Sequence, residues 1–313
     1  MPVSLSTSAE TGMQAPRQRP RELEDRLNLH LYHPLAAALA RALQPTGVTP
    51  NAVSVAGLLL VWAAAWAYTA LVWPASALVG FSLHALWHVV DGADGDLARL
   101  NGKSSATGEL VDGVCDYAGH VVLYIALAAA LDDRLGGWAW GLAAAAGASH
   151  IVQTNHAETQ RRTYLWWAYG VPWLKHAQAA GDDVFRGGNW FSLTFGWMAR
   201  DYLRLAQLMS PWSTRIEARL DAAAADPRRL ARMRRLVRRA SRRSLALEKA
   251  VGPNPRTIIL GLSMSMGSPL FYFLAETILL NLLLVLSVRQ HARRDRALAR
   301  RFDRLARAAA PHA

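Results

Sequence analysis

The chain has 313 residues, 52% of them hydrophobic, and a formal net charge of +12. Apolar runs of about 20 residues alternate with arginine-rich blocks, the pattern of a multi-span membrane protein; runs of that length exclude a nucleic-acid-binding domain as the reason for the charge. Cys115 is the single cysteine, so neither an intrachain disulfide nor a thiolate metal cage can form.

Residues 1–20 hold no apolar signal-peptide core and read as a disordered cytoplasmic tail. Residues 21–48 alternate apolar and charged positions at helical spacing, which predicts a juxtamembrane amphipathic helix on the membrane surface, interrupted at Pro34. Thr49 is suited to cap a helix and Pro50 to open one, so a first span is expected over about 52–72. A second runs from about 75 to the aspartates at 91–94, a third from Gly108 to about 131 and a fourth from about 137 to 157, making 49–157 a four-helix membrane unit.

Residues 158–256 change character, tryptophan-rich at first and arginine-rich later, and read as a basic cytoplasmic insert. Within it Leu230, Met233, Leu236, Val237 and Ala240 mark a basic amphipathic helix, either lying on anionic membrane lipids or packed on the rest of the insert. The apolar stretch 257–289 as one straight helix would be about 50 Å long at ~1.5 Å per residue, beyond a bilayer core of roughly 30 Å. Gly267 and Pro269 mark the turn of a hairpin with two short, tightly paired arms, and 290–313 is a basic cytoplasmic tail. The expected fold is therefore an all-α integral membrane protein with six transmembrane helices, an N-terminal juxtamembrane amphipathic helix and a helical cytoplasmic insert between helices 4 and 5. Basic segments stay inside, which puts both termini and the insert on the cytoplasmic side of the inner (cell) membrane.

The stretch DGADGDLARLNGKSSATGELVDGVCD, 91–116, sets acids against apolar segments. Asp91 and Asp94 are three apart and Asp112 and Asp116 four apart, so each pair shares a helix face, and the short link between them brings four carboxylates together near the cytoplasmic surface. Acids at that depth are costly and point to a functional site. Oxygen-only ligands fit hard divalent cations, Mg²⁺ or Mn²⁺, with room for two ions. Gly95, Ala98 and Gly108 leave backbone open to close approach, and Arg99 offers a forked donor to phosphate oxygens, which together describe a pyrophosphate site.

The spacing Asp91-x-x-Asp94-Gly95-x-x-Ala98-Arg99, eight residues, Gly108-x-x-x-Asp112-x-x-x-Asp116 resembles the signature of the CDP-alcohol phosphotransferases (CDP-alcohol phosphatidyltransferases), membrane enzymes of phospholipid biosynthesis. The motif covers 26 residues; PNAVS at Pro50–Ser54 and the expected spans extend the likeness more loosely over most of the chain except the insert. The resemblance implies that Asp91, Asp94 and Asp112 bind the metals with Asp116 near them and acting as base, and that Gly95, Ala98, Arg99 and Gly108 lie against cytidine diphosphate. It implies transfer of a substituted phosphoryl group from a CDP-linked donor, CDP-diacylglycerol or a CDP-linked head group, to a small polar or lipid alcohol, with release of CMP. An aspartate beside cations is a weak base, so Asp116 acts by orientation as much as by proton removal.

Several nearby residues carry two readings each. Lys103, in a link with Ser105 that is able to fold over a nucleotide, reads as a phosphate contact or as a headgroup anchor. His84, His88 and His120 extend the metal shell or relay a proton, or else line a hydrated cavity. Asp96 is a surface acid. Asn155, His156 and Glu158 end the fourth span where the resemblance places the acceptor, and no basic residue precedes Arg161 there, which weighs against a phosphorylated acceptor. Glu276 and Asn281 face the site or bond a neighbouring helix, and Arg256 reaches phosphate or snorkels to the interface. Trp62, Trp66, Trp73, Trp138 and Trp140 suit an interfacial belt. The insert gates acceptor access, binds a partner or helps form a homodimer. The other function classes compatible with buried acids are a cation transporter, whose sites usually lie at mid-membrane, and a catalytically idle scaffold.

Overall fold

The computed structural model describes residues 20–186 and 190–308, and among these every regular element is a helix. The expectations for residues 1–19 and 309–313 fall outside the described residues. In chain order the helices are α1 (His33–Leu43), α2 (Pro50–Ala70), α3 (Ala75–Leu100), α4 (Ala106–Leu135), α5 (Trp138–Tyr169), α6 (Leu174–Ala180), α7 (Asp183–Arg186), α8 (Trp190–Met209), α9 (Ser213–Ala222), α10 (Pro227–Ser241), α11 (Ser244–Ala250), α12 (Pro253–Ser265), α13 (Leu270–Leu274) and α14 (Leu280–Ala308). Three of them are long and apolar enough to cross a membrane: Pro50–Ala70, Ala106–Leu135 and the continuous run Leu270–Arg307.

Pro34 does not interrupt the N-terminal helix. A π-turn, Asn28–Tyr32, leads directly into α1, and the His33 N–H reaches back to the Asn28 carbonyl. The wider turn makes room for the proline ring, whose missing N–H falls at the start of α1. Ala36 and Ala40 then pack on Val53 of α2 and on Ala93 and Leu97 of α3, so α1 lies against the helix that carries the first two aspartates.

α2 starts where expected: the Thr49 hydroxyl accepts a hydrogen bond from the Ala52 N–H at 3.2 Å, with Pro50 at the first helical position. α2, α3, α4, α5, α12 and α13 share one core containing Val61, Ala64, Leu123, Leu127, Ala139, Ala143, Leu260 and Phe273. Small residues let the backbones approach closely, as lipid-embedded packing favours. At Gly80 an added Cβ would lie 2.4 Å from the Tyr68 ring.

A second core lies beyond the first. It joins Tyr164 and Trp167 of α5, Ile216 and Leu220 of α9, Met233 and Val237 of α10, Leu245 of α11, and Leu298, Ala299 and Phe302 of α14. Two boundaries from the sequence change for this reason. α5 runs unbroken past 157/158, the expected end of the fourth span, because its last turns bury Tyr164 and Trp167. The last helix likewise continues from the apolar hairpin through the expected tail to Ala308, anchored by Leu298 and Phe302. The hairpin turn is where Gly267 (φ 77°) and Pro269 predict it, yet its arms are unequal: the 13 residues of α12 measure about 20 Å at ~1.5 Å per residue, against a far longer second arm. α10 spends its apolar face inside the protein, with Met233 and Val237 buried against α5 and α14, so that face is not free to lie on anionic headgroups.

Candidate active site

The C-terminal half of α3 and the N-terminal half of α4 are joined by the short link 101–105. Ser105 fixes the start of α4, its Oγ accepting from the Gly108 N–H at 3.1 Å. From this geometry Asp91, Asp112 and Asp116 each present a carboxylate oxygen within 4.8 Å of the others, the one such group of three or more metal-ligating side chains among the described residues. Asp94 stands beside the trio. It is buried, accepts a hydrogen bond from Ser54 Oγ at 2.5 Å, and lies within hydrogen-bonding reach of Asp112, while Asp116 bears the same relation to Asp91. Four carboxylates so close repel unless a cation lies among them, and an all-oxygen donor set of this spacing fits Mg²⁺ or Mn²⁺.

The aspartates line a cavity of about 790 Å³, and so do Gly95, Ala98, Arg99, Lys103 and Gly108. That volume lies within the range of ligand pockets, roughly 300–1,000 Å³. Arg99 is half exposed and paired with Asp96 one turn earlier, so Asp96 steadies a guanidinium at the rim. A Cβ on Gly108 would come within 3.3 Å of the Ser105 hydroxyl that caps the helix.

Three histidines singled out in the sequence line the same cavity without joining the trio. His88 Nε2 bonds Thr257 Oγ1 at 2.9 Å, and His120 Nδ1 bonds the Asp116 main-chain carbonyl at 2.8 Å. His84 packs among the rings of Tyr68, Trp87, His88 and His120. These are the contacts of cavity-lining residues.

Cationic side chains come from further along the chain. Arg161 and Arg162 line the cavity, both anchored on Glu158 at 2.5–2.7 Å, and Arg162 also reaches Glu109 at 3.2 Å. Burial alone would raise the Glu158 pKa, but the two guanidiniums outweigh it and hold the carboxyl well below the usual range. The absence of a basic residue before Arg161 therefore carries no weight against a phosphorylated acceptor, because Arg161 and Arg162 themselves lie at the cavity. Asn155 lines the cavity and donates to the Tyr202 carbonyl at 3.1 Å, whereas His156 lies outside the lining and bonds Ser287 at 2.9 Å.

Arg256 does not snorkel. It is buried and bonds Thr154 at 2.6 Å, Gln153 at 2.8 Å and His150 at 3.1 Å, with Glu276 Oε1 3.5 Å from its Nε. Asn281 bonds Ser149 and Gln153 of α5. Sequence reasoning missed His150 and Thr154, which carry no motif, and had Ser54 only as the last residue of PNAVS.

Comparison with known proteins agrees with this geometry. The family model for CDP-alcohol phosphatidyltransferase matches residues 47–167, from the turn before α2 to the last turn of α5. No curated protein and no solved structure matches the chain. The segment that matches the CDP-alcohol phosphatidyltransferase family model contains all four aspartates together with Gly95, Ala98, Arg99, Lys103 and Gly108.

Proposed function

We propose that the protein transfers a substituted phosphoryl group from a CDP-linked donor to an alcohol, releasing CMP, as a divalent-metal-dependent step of phospholipid biosynthesis in the inner membrane. The observation that carries this reading is the convergence of Asp91, Asp112 and Asp116, with Asp94 beside them, on a cavity shared with Gly95, Ala98, Arg99, Lys103 and Gly108.

Asp91, Asp94, Asp112 and Asp116 would hold two Mg²⁺ or Mn²⁺ ions, which supply charge neutralisation of the pyrophosphate and of the departing CMP. Gly95, Ala98 and Gly108 admit the cytidine diphosphate close to the backbone, and Arg99 and Lys103 reach its phosphate oxygens. Asp116 orients the acceptor hydroxyl and takes its proton as the hydroxyl oxygen bonds the phosphorus farther from cytidine. The bond from that phosphorus to the bridging oxygen breaks, and CMP leaves with the electron pair. In this reading six helices cross the membrane, with both termini and the segment after α5 on the cytoplasmic side, and anionic lipids surround the site.

The test is CMP release by the purified protein with Mg²⁺ or Mn²⁺, offering CDP-diacylglycerol with a panel of alcohols and then CDP-linked head groups with lipid acceptors. Acceptor-dependent release that disappears in Asp112→Ala is the expected result. Cation uptake into vesicles that is indifferent to CDP, with no CMP released on either panel, would overturn it.

A further inference from the structure

α8 exposes an apolar stripe that the proposed chemistry does not use. Trp190, Leu193 and Trp197 are 74%, 75% and 54% exposed, and their spacing of three and four residues puts them on one face of the helix. The opposite face is covered: Ala199 is buried and Phe191, Phe195 and Met198 partly so, packed with Ala106, Leu110 and Val114 in the first turns of α4. We propose that the outer face of the first half of α8 is a membrane-inserted surface, with Trp190, Leu193 and Trp197 seated in the interfacial layer of the bilayer beside α4.

Position along α4 carries the proposal. α4 is one of the helices long and apolar enough to span a membrane, and the residues touching α8 fall within its first nine positions, about 12 Å at ~1.5 Å per residue. A helix held at that level lies at the depth of an interfacial helix, whose apolar face enters about 5–10 Å below the headgroups. The stripe continues the outward apolar surface of α4, where Val121 and Ile125 are also exposed. Its composition fits the layer, because tryptophan places an apolar ring in hydrocarbon and its N–H among headgroups. The same face changes at the next turns to an exposed Asp201–Arg204 ion pair at 2.7 Å, which marks where α8 leaves the apolar layer. Leu208 beyond it is a single exposed leucine, which any surface tolerates. In water a contiguous Trp–Leu–Trp face would be an association site, so the rival occupant is a second copy of the chain.

Spin labels on Leu193→Cys and, separately, on Trp197→Cys of the full-length protein in lipid nanodiscs test this. Cys115 is buried, the unsubstituted protein supplies the background, and Arg239→Cys on the exposed face of α10 supplies an aqueous reference. Labels at 193 and 197 are expected to relax with dissolved oxygen and to be shielded from a water-soluble nickel chelate, with the reverse at 239. Nickel access at 193 equal to that at 239, or spin–spin broadening between labels of two chains, overturns the proposal. Independently of any cysteine, quenching of tryptophan fluorescence by lipids brominated near the headgroup end of the chain should lose a component in Trp190→Phe/Trp197→Phe. Unchanged quenching in that variant also overturns it.

Discussion

Arg256 and Glu276 offer the most quantitative test of how the bundle is held. Glu276 is fully buried and Arg256 nearly so; the 3.5 Å between Nε and Oε1 is an ion-pair distance rather than a hydrogen bond. His150 Nδ1 lies 3.6 Å from the same carboxylate oxygen. Thr154, Gln153 and His150 hold the guanidinium in place, so it cannot swing further into the cavity it borders without breaking three bonds to α5. Glu276→Ala therefore leaves a buried cation without its carboxylate, and breaking a buried pair from one side costs about 3–5 kcal/mol. At roughly 2 °C per kcal/mol for a large chain, Tm falls by about 6–10 °C. Replacing both partners, as in Arg256→Met/Glu276→Met, removes the stranded charge and should recover most of the loss. The assay is the fraction of protein remaining monodisperse in detergent after heating, measured for wild type, both single variants and the double. A Glu276→Ala midpoint within 2 °C of wild type, or a double variant as labile as Glu276→Ala, would refute the reasoning.

Ser54→Ala removes the hydroxyl that holds Asp94 without touching the trio, and loss of a partner behind a metal ligand typically costs 10–100-fold in affinity. Calorimetric titration with Mn²⁺ should show weakening in about that range, and unaltered binding would mean that Asp94 is placed by other contacts. Burial pushes Glu248 up to about 8 against the opposing pull of Arg294, Arg161 and Lys249, with its Oε1 2.6 Å from His291 Nε2. The folded chain thus keeps a proton that the unfolded chain releases above about pH 4.5. This contribution to stability is whole below pH 4.5 and lost as pH rises to about 8, a change on the order of 5 kcal/mol at most. Glu248→Gln should flatten the fall in melting temperature over that interval; the same slope in variant and wild type would count against the assignment.

What the sequence made legible was local. The aspartate spacing needs only the helical repeat to put each pair on one face, Thr49 and Pro50 act within one turn of α2, and Gly267 and Pro269 act within one turn of the hairpin. What it hid depends on distant partners. The repeat of Leu230, Met233 and Val237 shows that α10 has an apolar face but not what covers it, and the cover is supplied by α5 and α14. Arg256 at the head of an apolar run looks like an anchor for the interface until Gln153 and Thr154, more than a hundred residues earlier, come up against it. Pro34 misleads for a different reason, since the π-turn that accommodates it leaves no mark in the sequence.

The location of the cavity follows from the two cores. α5 and α14 contribute to the lower bundle through Ala143 and Asn281 and to the upper core through Trp167 and Phe302, so each layer fixes the position of the other. The carboxylates come from α3 and α4, in the lower layer. Besides Arg99 and Lys103, the cations lining the cavity come from the junction: Arg161 and Arg162 on the last turns of α5, Lys249 at the end of α11 and Arg256 in α12. Acids that would repel alone, and guanidiniums costly to bury alone, thus share one polar chamber between two apolar ones. On the proposed reading this division of charge matches the substrate, because a pyrophosphate bridged to carboxylates by divalent cations still has outward oxygens that require donors. Arg99 and Lys103 supply part of the second need from beside the carboxylates and the junction supplies the rest; a chain cut after α5 would be expected to keep the aspartate cluster with Arg99, Lys103, Arg161 and Arg162 and to lose Lys249 and Arg256.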